Sequence, residues 1–303
     1  MPLDLWQTYS KRNGEQISLQ LTEMPSVRVQ TRFQAMEIVD TVAYGRCLFL
    51  DGKMQSGQAD EFVYHESLVQ PAMVAVANPR RVFIAGGGEG ATARDILRHP
   101  SVETVVMADI DEEAVVACRK LLAEVHQGAF DDPRLVLVYD DARAQLEQSA
   151  EPYDVIIVDV TDPLRGGPSY RIFTREFYQI ARTKLRPGGI IAIQAESGDV
   201  GELEGHAAIV RTIASVFARA QGYRAHIPAF GETWAFAVAG DGPLPSDLSV
   251  EQVDQTLAER GIANLRFYDG LTNRAFFTPD KYYRRVLADV TTVIDDDHPL
   301  VIE

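Results

Sequence analysis

A chain of 303 residues with 46% apolar content is long enough to bury a large core and too apolar to be disordered. Acids outnumber bases by 44 to 29, a net charge of −15 that repels nucleic acid phosphates and attracts cationic ligands. No run approaches the ~18 apolar residues of a membrane span, the amino terminus carries no secretory leader, and Cys47 and Cys118 have no metal or redox spacing, so a cytoplasmic protein with free buried thiols is expected.

Residues 17–21 and 27–31 alternate with period two, and strand-like pieces follow at 36–39 and 47–50, with turns at Tyr44-Gly45 and Asp51-Gly52. They predict a small antiparallel β domain. Residues 61–76 carry apolar side chains at helical spacing and stop near Asn78-Pro79. From Arg81 the pattern becomes strand–helix alternation, with strands at 82–85, 104–108, 135–138, 154–158 and 190–194 and helices at 91–98, 112–124, 177–185 and 202–220. Strands at 223–227 and 234–239 follow, then helices at 250–260 and 280–287, while Asp295-Asp296-Asp297 reads as a solvated turn. The fold class is therefore α/β: a Rossmann-like, doubly wound, mostly parallel sheet with a small N-terminal antiparallel β domain. The expected division is residues 1–78, the β domain with its connecting helix, and 79–303, the Rossmann-like catalytic domain.

The strand at 154–158 runs into Asp159 and Asp162, and Pro163 ends regular structure. Open α/β sheets bind ligands at such strand ends. Two acids there suit a cationic amine, its proton or a metal, and the lack of converging His and Cys ligands sets metal aside. Gly86-Gly87-Gly88-Glu89-Gly90-Ala91 lies between a strand and a helix, where glycines let the backbone approach a ligand. Asp109, 21 residues beyond Gly88, is placed for ribose hydroxyls. This pair fits a nicotinamide cofactor or an S-adenosyl compound. Glu89 favours the latter, because an anion in the turn repels a pyrophosphate and attracts a sulfonium or ammonium. Asp141 either accepts a bond from an adenine amino group or caps a helix at 142–146.

Phe33-Gln34, Tyr44-Gly45, Leu50-Asp51-Gly52, Gln55, Asp60-Glu61-Phe62-Val63-Tyr64-His65-Glu66, the glycine turn, Asp109-Ile110-Asp111, Asp141 and Asp159-Val160-Thr161-Asp162-Pro163 occur in order. Together they resemble the spermidine synthase family of polyamine aminopropyltransferases, over about residues 33–236. The resemblance implies transfer of an aminopropyl group from decarboxylated S-adenosylmethionine, a co-substrate rather than a cofactor, to an amine, with release of 5′-methylthioadenosine. It implies Asp159 as the base, with Tyr64, His65, Asp162 and Gln55 around the acceptor. Gln34, Gly86, Gly88, Glu89, Asp109 and Asp141 would hold the donor. The implied partners are the cationic amine, the adenosyl donor and further copies of the chain in a homodimer or homotetramer, with neither nucleic acid nor membrane.

Three segments depart from or qualify the pattern. Glu89 stands where the family usually has Asp. Residues 162–174, with Gly166-Gly167-Pro168, are similar to the family's gatekeeping loop. Residues 227–236 look more like the thermospermine synthase branch, where Glu232 would bind a second ammonium and Trp234 would shape an acceptor tunnel or simply pack the core. Putrescine is the expected acceptor. Thermospermine, spermine or N1-aminopropylagmatine synthesis stay open. A methyltransferase, a nicotinamide-dependent dehydrogenase and a non-catalytic polyamine-binding protein are the rivals from other classes.

Overall fold

The computed structural model describes residues 5–11, 14–163 and 169–301, so the Gly166-Gly167-Pro168 stretch of the expected gatekeeping loop lies outside the described residues. At the amino-terminal end, β1 (Trp6–Ser10) and β2 (Gln16–Gln20) form an antiparallel pair. β3 (Val27–Gln30), β4 (Ala35–Thr41), β5 (Gly45–Leu50) and β6 (Lys53–Gly57) follow as an antiparallel meander. β1 and β6 were not expected: each is only five residues, and neither carries an apolar alternation strong enough to read. The β5–β6 turn places Asp51 at φ 47° and Gly52 at φ 71°, the left-handed pair that tight hairpins require.

α1 (Glu61–Ala75) is buried on nearly all sides and packs against the large sheet. Its interior Pro71 has no amide hydrogen to give to Ser67 O. The Tyr223 hydroxyl donates to that carbonyl instead, at 2.8 Å, so the helix continues without a buried orphan acceptor.

The large sheet contains β7 (Arg81–Gly86), β8 (Thr104–Asp109), β9 (Leu135–Tyr139), β10 (Tyr153–Asp159), β11 (Leu185–Ser197), β12 (Arg219–Ile227) and β13 (Glu232–Gly240). Their order is β12-β13-β11-β10-β7-β8-β9. The run from β11 to β9 is parallel, and β13 is antiparallel to both its neighbours. Central strands such as Val155–Val158 and Val82–Ala85 are fully buried because helices cover both faces. Those helices are α2 (Ala91–Leu97), α3 (Glu112–Leu121), α4 (Ala123–His126), α5 (Ala142–Gln148), α6 (Arg175–Lys184) and α7 (Leu203–Ala214), with α8 (Val250–Glu259), α9 (Gly270–Phe276) and α10 (Lys281–Asp289) closing the chain. Chain order reverses between adjacent β7 and β10, and such a switch point opens a crevice at the carboxyl ends of the strands.

Four expectations need correction. The helix expected to Ala220 ends at Ala214, where Ser215 Oγ donates back to Thr212 O at 2.6 Å. Residues 219–221 instead pair with 238–240 of β13. The helix expected at 112–124 breaks at Leu122 into α3 and α4. α9 was not expected; Asp269 caps it by accepting from Thr272 N at 2.7 Å. Asp296 is no free surface acid: it accepts from Arg143 and Thr174 at 2.7 Å and from Arg171 at 3.2 Å.

Candidate active site

β7 ends in Gly86 (φ 80°) and Gly87 (φ 79°) follows it, donating its N–H to Asp159 O at 2.8 Å. A Cβ on Gly86 would stand 2.2 Å from that carbonyl, so only glycine lets the turn pass beneath the end of β10. The turn thereby places the Asp159 side chain beside α1 and the first turn of α2. Asp159 Oδ1 accepts from Tyr64 Oη at 2.8 Å, and Oδ2 accepts from Thr92 Oγ1 at 2.5 Å. Burial raises the Asp159 pKa above the ordinary carboxylate value. The charge of His65 and the two hydroxyl donors oppose that rise, and nearby Glu89 adds to it. Tyr64 is buried beside this carboxylate, which keeps its hydroxyl protonated as a donor.

His65 is bracketed by two acids. Nδ1 lies 2.9 Å from Glu61 Oε2 and Nε2 lies 2.7 Å from Glu89 Oε1. Burial disfavours its charge, but the two carboxylates outweigh burial and raise its pKa well above the usual value, so the ring is an imidazolium. Glu61 is likewise opposed by burial, yet bonds from His65 and Arg94 bring it down to about 2. Arg94 reaches Glu61 at 2.8 and 2.9 Å. Ser56 Oγ donates to the other oxygen of Glu89. The longer arm of Glu89 thus spans from the glycine turn to both α1 and β6.

At the end of β8, Asp109 Oδ1 accepts from Asp111 N at 2.9 Å. Burial lifts its carboxyl to about 6, against the pull of that amide. A Cβ on Gly88 would lie 2.8 Å from Asp109 Oδ2, so this glycine keeps the acid's outer oxygen uncovered. Asp111 caps α3 and accepts from Thr31 Oγ1 at 2.6 Å and Gln34 Nε2 at 2.9 Å. It thereby fixes Gln34 against the end of β8. Asp141 caps α5 through the amides of Arg143 and Ala144, at 2.8 and 3.1 Å, and also lines the cleft. Of its two expected roles, the helix cap is the one observed.

On the opposite wall, Glu232 Oε2 accepts from Ser197 Oγ at 3.2 Å. Burial pushes its carboxyl up to about 7, with the Lys11 ammonium pulling the other way. Trp234 is buried, donates Nε1–H to Gln194 at 3.2 Å and meets Phe230 edge-on at 5.3 Å. It packs the core and lines the cleft at once. Gln55 donates to Lys53 O at 3.2 Å, and Asp162 O accepts from Ser169 Oγ at 2.8 Å. The structure brings Gln34, Gln55, Tyr64, His65, Gly86, Gly88, Glu89, Asp109, Asp141, Asp159, Asp162, Glu232 and Trp234 to the wall of one cleft.

Sequence reasoning missed the residues that hold these groups. Thr92 had a positional signal, two residues after the last glycine of the turn. Ser56, Arg94 and Lys11 had none, since Glu89, Glu61 and Gly231 O come from distant parts of the chain, whereas Glu61 stands four residues before His65 on α1, a spacing the sequence shows. Among the described residues, no group of three His, Cys, Asp or Glu is placed to hold a metal ion, and no helix is long and apolar enough to cross a membrane. Cys47 and Cys118 are buried and free.

A switch-point cleft with a glycine turn, a buried acid at the end of β8 and further carboxylates at the strand ends defines a Rossmann-like enzyme class suited to a cationic ligand. Within that class, residues 61–245 match the spermine/spermidine synthase domain, and the chain belongs to that family. It is 46% identical over 283 residues to a polyamine aminopropyltransferase of Synechococcus sp. (strain JA-2-3B'a(2-13)), covering 90% of each chain. It is 39% identical over 270 residues to a thermospermine synthase of Arabidopsis thaliana, covering 88% of this chain and 79% of that one. The fold superposes with TM-score 0.87 and 28% identity on a crystal structure of a spermidine synthase in complex with the transition-state analogue AdoDATO, over 95% of this chain and 97% of that one.

Proposed function

We propose that this chain moves the aminopropyl group of decarboxylated S-adenosylmethionine onto putrescine, giving spermidine and 5′-methylthioadenosine. The observation that carries this reading is Asp159: a carboxylate made more basic by burial, aimed by Tyr64 and Thr92, at the mouth of the glycine turn. A polyamine is mostly protonated at neutral pH, and a protonated nitrogen has no lone pair. Asp159 takes one proton from the acceptor. The freed nitrogen attacks the carbon next to the sulfonium, the C–S bond breaks, and its electron pair stays on sulfur as the neutral thioether departs. The proton held by Asp159 then passes to solvent.

In the same reading, Asp109 holds the ribose, Asp141 the adenine amino group, and Gln34 with Gly86 and Gly88 the rest of the nucleoside. Glu89, set by His65 and Ser56, meets the donor's ammonium. Asp162, Tyr64 and Gln55 seat the reacting end of the acceptor; His65, a cation held at both ring nitrogens by Glu61 and Glu89, acts through Glu89 rather than on the amine as expected, and Glu232 and Trp234 seat the far end. Donor and acceptor carry like charge, so pre-placed carboxylates supply much of the rate by holding both in reacting geometry. In this reading residues 1–78 are the β domain with its connecting helix and 79–303 the Rossmann-like catalytic domain, working in the cytoplasm as a homodimer or homotetramer.

A longer acceptor is the second reading, favoured by the character of residues 227–236 and by the thermospermine synthase among the relatives. The test is incubation with decarboxylated donor and putrescine, agmatine or spermidine, with products identified by mass spectrometry. Methylthioadenosine and a new triamine are expected. S-adenosylhomocysteine formed from S-adenosylmethionine, or amine binding without turnover, would contradict the proposal.

A further inference from the structure

Two lysines, Lys11 and Lys53, line a cleft otherwise rich in carboxylates. Lys53 sits where β6 begins and donates to Ser10 O at 2.8 Å. Lys11 is the more unusual: its side chain is only 7% exposed, and its ammonium donates to Gly231 O at 3.0 Å. It also pairs with Glu15 at 3.1 Å and Asp199 at 3.5 Å. One carbonyl and two carboxylates form the kind of cage that would hold the ammonium of a polyamine, and the protein fills it with its own.

The cage is built, not incidental. The β1–β2 hairpin is clamped onto the turn at 228–231: Tyr9 Oη donates to Ala229 O at 2.5 Å, and Ile17 packs on Gly231 so closely that a Cβ there would lie 2.3 Å from Ile17 Cδ1. Gly231 has φ 63°, so both its backbone and its surroundings exclude a side chain. An aromatic wall leads from the proposed base to this turn. Tyr64, bonded to Asp159, lies 5.9 Å from Phe230, and Phe230 lies 5.3 Å from Trp234. Gly231 and Glu232 follow Phe230 in the chain, so the wall ends at Lys11.

We infer that Lys11 sets the length of the acceptor: its ammonium occupies the place that the third ammonium of a triamine would need, leaving room for a diamine whose far end meets Glu232. This rests on the aminopropyltransferase reading and favours the short acceptor within it. A protonated triamine extended along the wall would bring its third ammonium against the Lys11 ammonium, which Gly231 O, Glu15 and Asp199 hold in place. Lys11 engages both Glu15 and Asp199, so Glu232, held by Ser197, is the acid left to meet the second ammonium of a diamine.

The test compares kcat/KM for putrescine and spermidine in the wild type, Lys11→Met and Lys11→Arg. The wild type should favour the diamine. Lys11→Met should raise the spermidine-to-putrescine ratio by at least ~10-fold, chiefly through a lower KM for spermidine, while Lys11→Arg keeps the wild-type ratio. A purely structural lysine would change both acceptors together. An unchanged ratio in folded Lys11→Met overturns the inference, as does a wild type that prefers spermidine. Should Lys11→Met not fold, Lys11→Gln, which also removes the charge from a long side chain, takes its place and is read in the same way. A wild type inert toward every amine would instead defeat the aminopropyltransferase reading itself.

Discussion

Hydroxyl donors such as Tyr64 and Thr92 normally make a carboxylate more acidic, yet Asp159 ends above its ordinary pKa because burial outweighs them. That balance leaves a carboxylate more basic than usual and still aimed by two fixed bonds. Tyr64→Phe removes one donor and should move the acidic limb of the kcat profile to higher pH, with a smaller loss of rate than any change at Asp159 itself. A limb that stays in place would argue that Tyr64 only packs. At the far wall, Glu232 is raised to about 7. Its charge is therefore lost as pH falls through 7, and the KM for a diamine should climb there. Glu232→Gln should raise KM at pH 8 and flatten that climb; an unaltered KM would remove Glu232 from the acceptor's path.

The elements explain which of these groups a linear reading finds. β7, β8 and β10 end in Gly86, Asp109 and Asp159, and a parallel sheet aligns such ends whatever the intervening helices do. The site acids were legible for that reason. Ser56 was not, and Thr92 had only its place after the glycine turn, because Glu89 and Asp159 lie far along the chain; Lys11 has Glu15 nearby, but Asp199 and Gly231 O are remote from it. The overrun of α7 has a similar cause: residues 215–220 continue an apolar pattern, but pairing with β13 gains more than another helical turn. Two glycines of one turn separate folding from function. Gly86→Ala forces a Cβ into the Asp159 carbonyl at positive φ and should cost at least ~2 kcal/mol in a denaturant melt. Gly88 lies outside that positive-φ set, and its Cβ would meet the Asp109 carboxylate instead. Gly88→Ala should therefore raise the donor's KM with little change in stability. Equal destabilisation by both would contradict this division.

For the whole molecule, two buried acids of the cleft cost stability at neutral pH. Asp109 at about 6 and Glu232 at about 7 are raised from ~4, so their stabilising contribution is complete below pH ~4 and is lost as pH rises through 6 to 7. Glu61, lowered to about 2, works in the opposite sense, contributing above pH ~4.5 and failing as pH falls toward 2. The ligand-free protein should melt highest near pH ~5, and a bound amine should raise the melting temperature more at pH 8 than at pH 5. A midpoint that climbs steadily to pH 8 would show that these acids are not strained. The net charge of −15 adds a long-range pull on cationic substrates, which salt screens. The pH profile of Asp159→Asn tests the central claim most directly. If Asp159 removes the acceptor's proton, the variant folds normally and loses ~10²–10⁴ in kcat at pH 7, and the deficit narrows as pH approaches the acceptor's own pKa, where solvent supplies the neutral amine. Near wild-type turnover at pH 7, or a deficit that does not change with pH, would contradict it.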